Sequence, residues 1–121
     1  MSCLFDSMSF FLENVSSPTL RQMIVDFLRQ NPVFVEGMSL KRLIQQEYPI
    51  WDVEEYLSHM EKPSSWGGAI EIRAFCELFG IHVRVHDLRY PNTKYDFHPS
   101  CDSSQDVWIE LMYTGNHYTP K

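Results

Sequence analysis

The segment IRAFCELFGIHVRVH, residues 72–86, decides the fold because the spacing of its apolar side chains changes midway. Ile72, Phe75, Cys76 and Phe79 recur at helical intervals on one face, and Gly80 follows as a C-terminal stop. From Ile81 the interval drops to two. Ile81, Val83 and Val85 alternate with His82, Arg84 and His86, which predicts a half-buried strand. Downstream, Val107, Ile109, Leu111 and Tyr113 alternate in the same way, and Thr114-Gly115-Asn116 reads as a turn into a short final strand from His117. Between the strands, Asp87 to Asp106 holds Pro91, Asn92, Pro99 and Ser103-Ser104, so a loop is expected with at most a brief strand near Tyr95 to Phe97.

Upstream, every periodic segment is helical. Leu4, Met8, Phe11 and Leu12 form one stripe that begins almost at the first residue. Leu20, Ile24, Phe27 and Leu28 form a second, between the Ser16-Ser17-Pro18 break and Asn31-Pro32. Met38, Leu40, Leu43 and Ile44 form a third, opened by Ser39 and closed by Tyr48-Pro49. Val53, Tyr56, Leu57 and Met60 form a fourth, with Asp52, Glu54 and Glu55 at its dipole-favoured start and Pro63 at its end. The expected class is α+β: N-terminal helices packed on a small C-terminal β-sheet.

A chain of 121 residues has the size of one domain, 1–121, and is expected to be a monomer. Its 44% hydrophobic and 14% aromatic content suits a packed core. A net charge of −6, with no basic run denser than Lys41-Arg42, argues against a nucleic-acid partner and is chiefly a matter of solubility. No apolar run is long enough to span a membrane, and Asp6 and Glu13 without a basic leader do not read as a secretory signal. Cys3, Cys76 and Cys101 are odd in number and lack the C-x-x-C spacing of zinc or redox sites, so a reducing intracellular compartment is expected.

A thiol attacks as its thiolate, and a free cysteine of pKa about 8.5 is only a few per cent ionised at neutral pH. Cys3 falls in the first turn of a helix, where unpaired N–H groups favour negative charge and can also hold an oxyanion. Cys76 lies on an apolar stripe and reads as core, and Cys101 has no assignable base. His59, His82 and His86 read as surface residues, and the His98–Cys101 pair lacks the further ligands of a metal site. His117 differs, because it follows a tight turn after a strand and could be held at the rim of a cleft as a general base.

Three blocks taken in order carry a resemblance: Cys3-Leu4-Phe5 with Ser7; Ser65-Trp66-Gly67-Gly68-Ala69-Ile70-Glu71-Ile72-Arg73-Ala74-Phe75 with Phe79 to Val85; and Ile109 to Tyr118 ending in His117-Tyr118. Together they resemble the ovarian-tumour (OTU) family of deubiquitinating cysteine proteases, including the minimal domains that viruses carry. The resemblance implies a papain-like fold with Cys3 as nucleophile and His117 as base. It implies ubiquitin or ubiquitin chains as partner, no metal or organic cofactor, and a cytoplasmic setting, the host's if the source is viral. Alternatives it leaves open are a ubiquitin-binding module with impaired catalysis and a protease for another ubiquitin-like modifier. Two departures stand out. Only Met1 and Ser2 precede Cys3 where the family has Asp-Gly-Asn, and the loss of one oxyanion donor costs about 2.7–4 kcal/mol, which implies a slower enzyme. The residue two after the histidine, usually Asp or Asn, is Thr119, so Thr119 or Asn116 would have to orient the imidazole.

Overall fold

Local polar groups set where each helix begins. The computed structural model describes residues 2–30, 32–34, 37–100 and 106–121. Helix α2 (Ser17–Arg29) starts where the Ser16 side chain accepts the Thr19 N–H, α3 (Leu40–Glu47) where Ser39 accepts from Arg42, and α4 (Val53–Met60) where Asp52 and Glu55 cap each other. Helix α1 (Cys3–Ser9) has no such side-chain cap. Helix α5 (Ala69–Phe79) ends at Gly80, whose φ of 64° is the left-handed conformation open to glycine.

Helix α1 stops earlier than its apolar stripe suggests. The N–H groups of Phe11 and Leu12 bond three residues back, to Met8 and Ser9, while the Ser9 hydroxyl takes the Asp6 carbonyl. These tighter turns end the helix, yet Phe11 and Leu12 still pack against the core.

Strands β1 (His82–Asp87), β2 (Thr93–Phe97), β3 (Trp108–Tyr113) and β4 (Tyr118–Pro120) form one mixed sheet in the order β2-β1-β3-β4. β1 runs parallel to β3, with Val83 beside Ile109 and Val85 beside Leu111, and the other two pairings are antiparallel. β2 begins two residues before the expected strand because the hairpin register pairs Thr93 with Asp87. β4 begins one residue later than expected, at Tyr118. Residues 101–105, which include Cys101, lie outside the described residues. Among the described residues no helix is long and apolar enough to cross a membrane.

The sheet's inner face, the apolar side of α5 and helices α1, α2 and α4 enclose one core, centred on Phe5, Ile24, Tyr56, Phe75, Val83 and Leu111. The expected division of helices and sheet is therefore observed. The three histidines expected at the surface are half-buried instead. The His59 ring lies 4.7 Å from that of Trp51, and His86 Nε2 is 2.7 Å from Glu110 Oε1. His82 sits between His98 Nδ1 at 2.8 Å and Asp106 Oδ1 at 3.0 Å, stacked on Trp108. His82 and His86 keep their outward strand positions and His59 its place on α4, but neighbouring side chains cover the rings.

One buried cation ties the helices together. Arg21 of α2 is only 5% exposed, and its guanidinium donates to the carbonyls of Met60 at 2.8 Å, Ser65 at 2.8 Å and Pro63 at 3.2 Å. The same group lies 4.2 Å above the Phe5 ring of α1. It thus links α2, the α4–α5 connection and α1. Replacing it with methionine keeps much of the volume but orphans buried carbonyls, so Arg21→Met should lower stability by about 3 kcal/mol in equilibrium urea unfolding. A loss within experimental error of zero would show that this linkage is dispensable.

Candidate active site

The site is built where the first helix meets the last strand. Helix α1 packs against β4 and against α2, burying Leu4, Phe5 and Met8 and leaving Cys3 half-buried at its opening. The Ser7 hydroxyl, itself buried, donates to the Cys3 carbonyl at 2.7 Å. Ser2, which would cap the helix, instead donates to the Pro63 carbonyl at 3.2 Å, so no side chain covers the helix's opening N–H groups.

Cys3 opens into a cleft of about 290 Å³. One wall is Trp66-Gly67-Gly68-Ala69, and another is Tyr113, Asn116 and Tyr118, with Tyr48 beside them. Asn116 and Tyr118 flank His117, whose exposed side chain leaves the turn between β3 and β4. The structure therefore brings the sequence neighbours of His117 to the cavity that holds Cys3. Burial, with Tyr113 and Cys3 close by, pushes the Tyr118 phenol above its ordinary pKa, so it stays neutral.

Of the two candidate orienting residues, Asn116 is otherwise engaged. The Asn116 amide oxygen accepts the Thr114 hydroxyl at 3.0 Å, whereas for Thr119 the pairing with Met112 occupies only the backbone. Among the described residues no side chain hydrogen-bonds the His117 imidazole. The backbone of the turn is tied instead: Thr114 N–H donates to the His117 carbonyl at 3.0 Å, and the Tyr113 hydroxyl donates to the Gly115 carbonyl at 2.8 Å.

Cys76 is fully buried and its thiol is pushed up to about 12, so it is core, as its stripe suggests. A larger cavity of about 560 Å³, lined in part by Lys41, Ile50, Trp51 and Glu54, contains neither cysteine nor histidine. No group of three or more potential metal ligands occurs among the described residues.

Sequence reasoning missed the support beneath the cleft. Glu71, 1% exposed, accepts the Gly68 N–H on Oε1 at 2.7 Å and the Tyr56 hydroxyl on Oε2. The Gly68-x-x-Glu71 spacing, with the carboxylate reaching back to the start of α5, is the signal that could have found it. Gly67 in turn sits so close to α1 that a Cβ there would lie 2.8 Å from Leu4 and 3.0 Å from Phe5. The glycine wall is thus pinned to the buried carboxylate on one side and pressed on the cysteine helix on the other. Desolvation pushes the Glu71 carboxyl up to about 7, against the opposing pull of the Tyr56 and Gly68 donors.

Two outcomes follow from this packing. Gly67→Ala should cost about 1–3 kcal/mol in urea unfolding because α1 or the wall must move. The unfolded chain releases the Glu71 proton near the ordinary carboxylate pKa while the folded chain keeps it until about pH 7, so the folded state binds more protons in between. Stability should fall as pH rises across that window and level off above it. Urea midpoints measured from pH 4.5 to 7.5 should lose that part of the slope in Glu71→Gln.

The comparisons with known proteins agree with this architecture. A profile described as OTU-like cysteine protease matches residues 2–118. The 232R protein of Invertebrate iridescent virus 3 is 34% identical over 125 residues, covering 98% of this chain and 14% of its own length. OVARIAN TUMOR DOMAIN-containing deubiquitinating enzyme 2 of Arabidopsis thaliana is 26% identical over 119 residues, covering 97% of this chain and 51% of its own. A solved OTU domain in complex with ubiquitin superposes with a TM-score of 0.75 at 24% identity, over 98% of this chain and 62% of that one. The chain spans only part of the length of these relatives. With a cysteine helix, a glycine wall and a histidine turn in this order, and the family profile matched over nearly its whole length, the chain belongs to the OTU-like cysteine protease family.

Proposed function

We propose that residues 1–121 form one catalytic unit that hydrolyses peptide and isopeptide bonds at the C-terminal glycine of ubiquitin, with Cys3 as nucleophile and His117 as general base. The observation that carries this reading is the single cleft shared by Cys3 and both neighbours of His117. A relative carries the name deubiquitinating enzyme, and a similar fold has been solved with ubiquitin bound, which supports ubiquitin as the partner. The cleft of about 290 Å³, with Gly67 and Gly68 in one wall and Tyr113 in another, offers a wall free of side chains to an extended tail ending in glycine.

In this mechanism the His117 imidazole takes the Cys3 proton, and the thiolate attacks the glycine carbonyl carbon. Backbone N–H groups at the opening of α1 face the developing oxyanion. Collapse of the tetrahedral species expels the amine, which receives the proton from His117 and leaves an acyl-thioester on Cys3. Water then gives up a proton to His117 and attacks the thioester, releasing the ubiquitin carboxylate and the thiol. No metal or organic cofactor takes part in any step. The free thiols of Cys3 and Cys76 support a reducing, intracellular setting.

Ubiquitin bearing a C-terminal electrophile provides the test. The wild type should form one covalent adduct located at Cys3 by mass spectrometry, Cys3→Ala should form none, and His117→Ala should slow the reaction roughly a thousandfold. An adduct that survives Cys3→Ala would overturn the assignment. Binding of diubiquitin without turnover would indicate a recognition module in its place, and reaction with a different modifier's probe would redefine the substrate.

A further inference from the structure

The imidazole of His117 has no side-chain partner among the described residues, so whatever holds it must act through the turn that carries it. That turn is braced from β1. Asp87 is 2% exposed at the inward end of β1, where Val83 and Val85 precede it on the same face. A carboxylate there requires a counter-charge, and Arg89 supplies one two residues later. Arg89 Nε and its terminal nitrogen donate to the two oxygens of Asp87 at 3.0 and 2.9 Å, and the Arg89 N–H donates at 3.1 Å. Tyr95 adds a 3.4 Å bond from its hydroxyl. These donors hold the Asp87 carboxyl below its ordinary range.

Fixed in this way, the guanidinium reaches the end of the neighbouring strand β3, where Tyr113 is the register partner of Asp87. It lies 5.1 Å from the Tyr113 ring and 5.3 Å from that of Tyr90. Its Cδ sits 2.8 Å from where a Cβ on Gly115 would be, in direct packing with the turn. Gly115 has φ of 108°, and Tyr113, clamped by the guanidinium, donates to its carbonyl. The Tyr113 ring also stacks on Tyr118, at 4.6 Å and 28°, and Tyr118 directly follows His117. A chain of contacts thus runs from Asp87 through Arg89 to both sides of the histidine.

The geometry points to Asp87 and Arg89 as positioning residues for His117, bracing the Tyr113–Tyr118 turn in place of a side-chain acceptor on the imidazole. This rests on His117 being the base. Lysine would keep the charge but lose the planar fork and the stacking, so Arg89→Lys should rescue little. Displacement of a catalytic group by about 1 Å costs on the order of a hundredfold, so a loosened turn should lower kcat far more than it changes KM.

The experiment is a double-mutant cycle on a fluorogenic ubiquitin C-terminal amide, with Arg89→Ala, Arg89→Lys, His117→Ala and the Arg89–His117 double variant, each checked for folding by circular dichroism. Iodoacetamide alkylation of Cys3 across pH gives an independent reading of the thiol–imidazole pair. Arg89→Ala and Arg89→Lys should each lower kcat roughly ten- to a hundredfold with KM within about threefold, and should move the pH midpoint of alkylation. The double variant should be no slower than His117→Ala, because a brace has no effect once the ring is gone. If His117→Ala is slow but both Arg89 variants keep kcat and the alkylation profile, or if the losses multiply, the bracing role is wrong while the base assignment stands. If His117→Ala itself matches the wild type, the base assignment fails and the bracing role falls with it. Arg89 is half-exposed, and the lysine variant retains the Asp87 counter-charge, so the comparison survives a poorly folded alanine variant.

Discussion

Helix α1 is seven residues long and uncapped, and a helix of that length does not persist in water by its own hydrogen bonds. What holds it is tertiary: Leu4, Phe5 and Met8 are fully buried, with β4 on one side and α2 on another. The position of Cys3 is therefore a property of the core and not of the helix. Burying three large side chains contributes several kcal/mol at about 1.5–3 kcal/mol each. This exceeds the few tenths to one kcal/mol that a missing N-cap costs. An uncapped start is tolerable for that reason, and it leaves the opening N–H groups of α1 without a side-chain cap.

The supports around this contact share one design. Arg21 under α1, Glu71 under the glycine wall and Asp87 under the histidine turn are each an ionisable residue in an apolar setting, each satisfied by several partners. A buried polar or charged group left without partners costs more than a salt bridge at the surface contributes, so each group selects strongly against arrangements in which its partners move away. Specificity of backbone placement is the return. The three groups fix three separate backbone segments, and those segments are the walls of one cleft.

Much of the architecture was legible in the sequence because apolar spacing is a direct record of burial. The switch at Gly80, the cap at Ser39, the acidic start of α4 at Asp52 and the alternation in β1 and β3 all survive in the structure. The family was legible through the order of short motifs, not through spacing, and Cys3 and His117 are candidates on that resemblance, since nothing in periodicity brings residues so far apart in sequence together. The buried charges were hidden for a physical reason. Reading by hydrophobic period treats a charged residue as a solvent-facing one, so Asp87 looked like the start of a loop although its parity with Val83 and Val85 places it inward. Arg21 and Glu71 were masked in the same way on helical faces. The early end of α1 was missed because serine side chains compete for backbone carbonyls, which apolar spacing does not record.

The parallel pairing of β1 with β3, followed by the return of β4 onto α1, has a temporal consequence. A ribosome makes Cys3 on the order of ten seconds before Pro120 at usual elongation rates. Through that interval the thiol belongs to a nascent chain in which the cleft wall carrying Tyr113, Asn116 and Tyr118 is not yet in place. Long-range closure of this kind slows folding relative to a local topology. It also means that the cleft beside Cys3 is completed in one step, when β4 seats on α1.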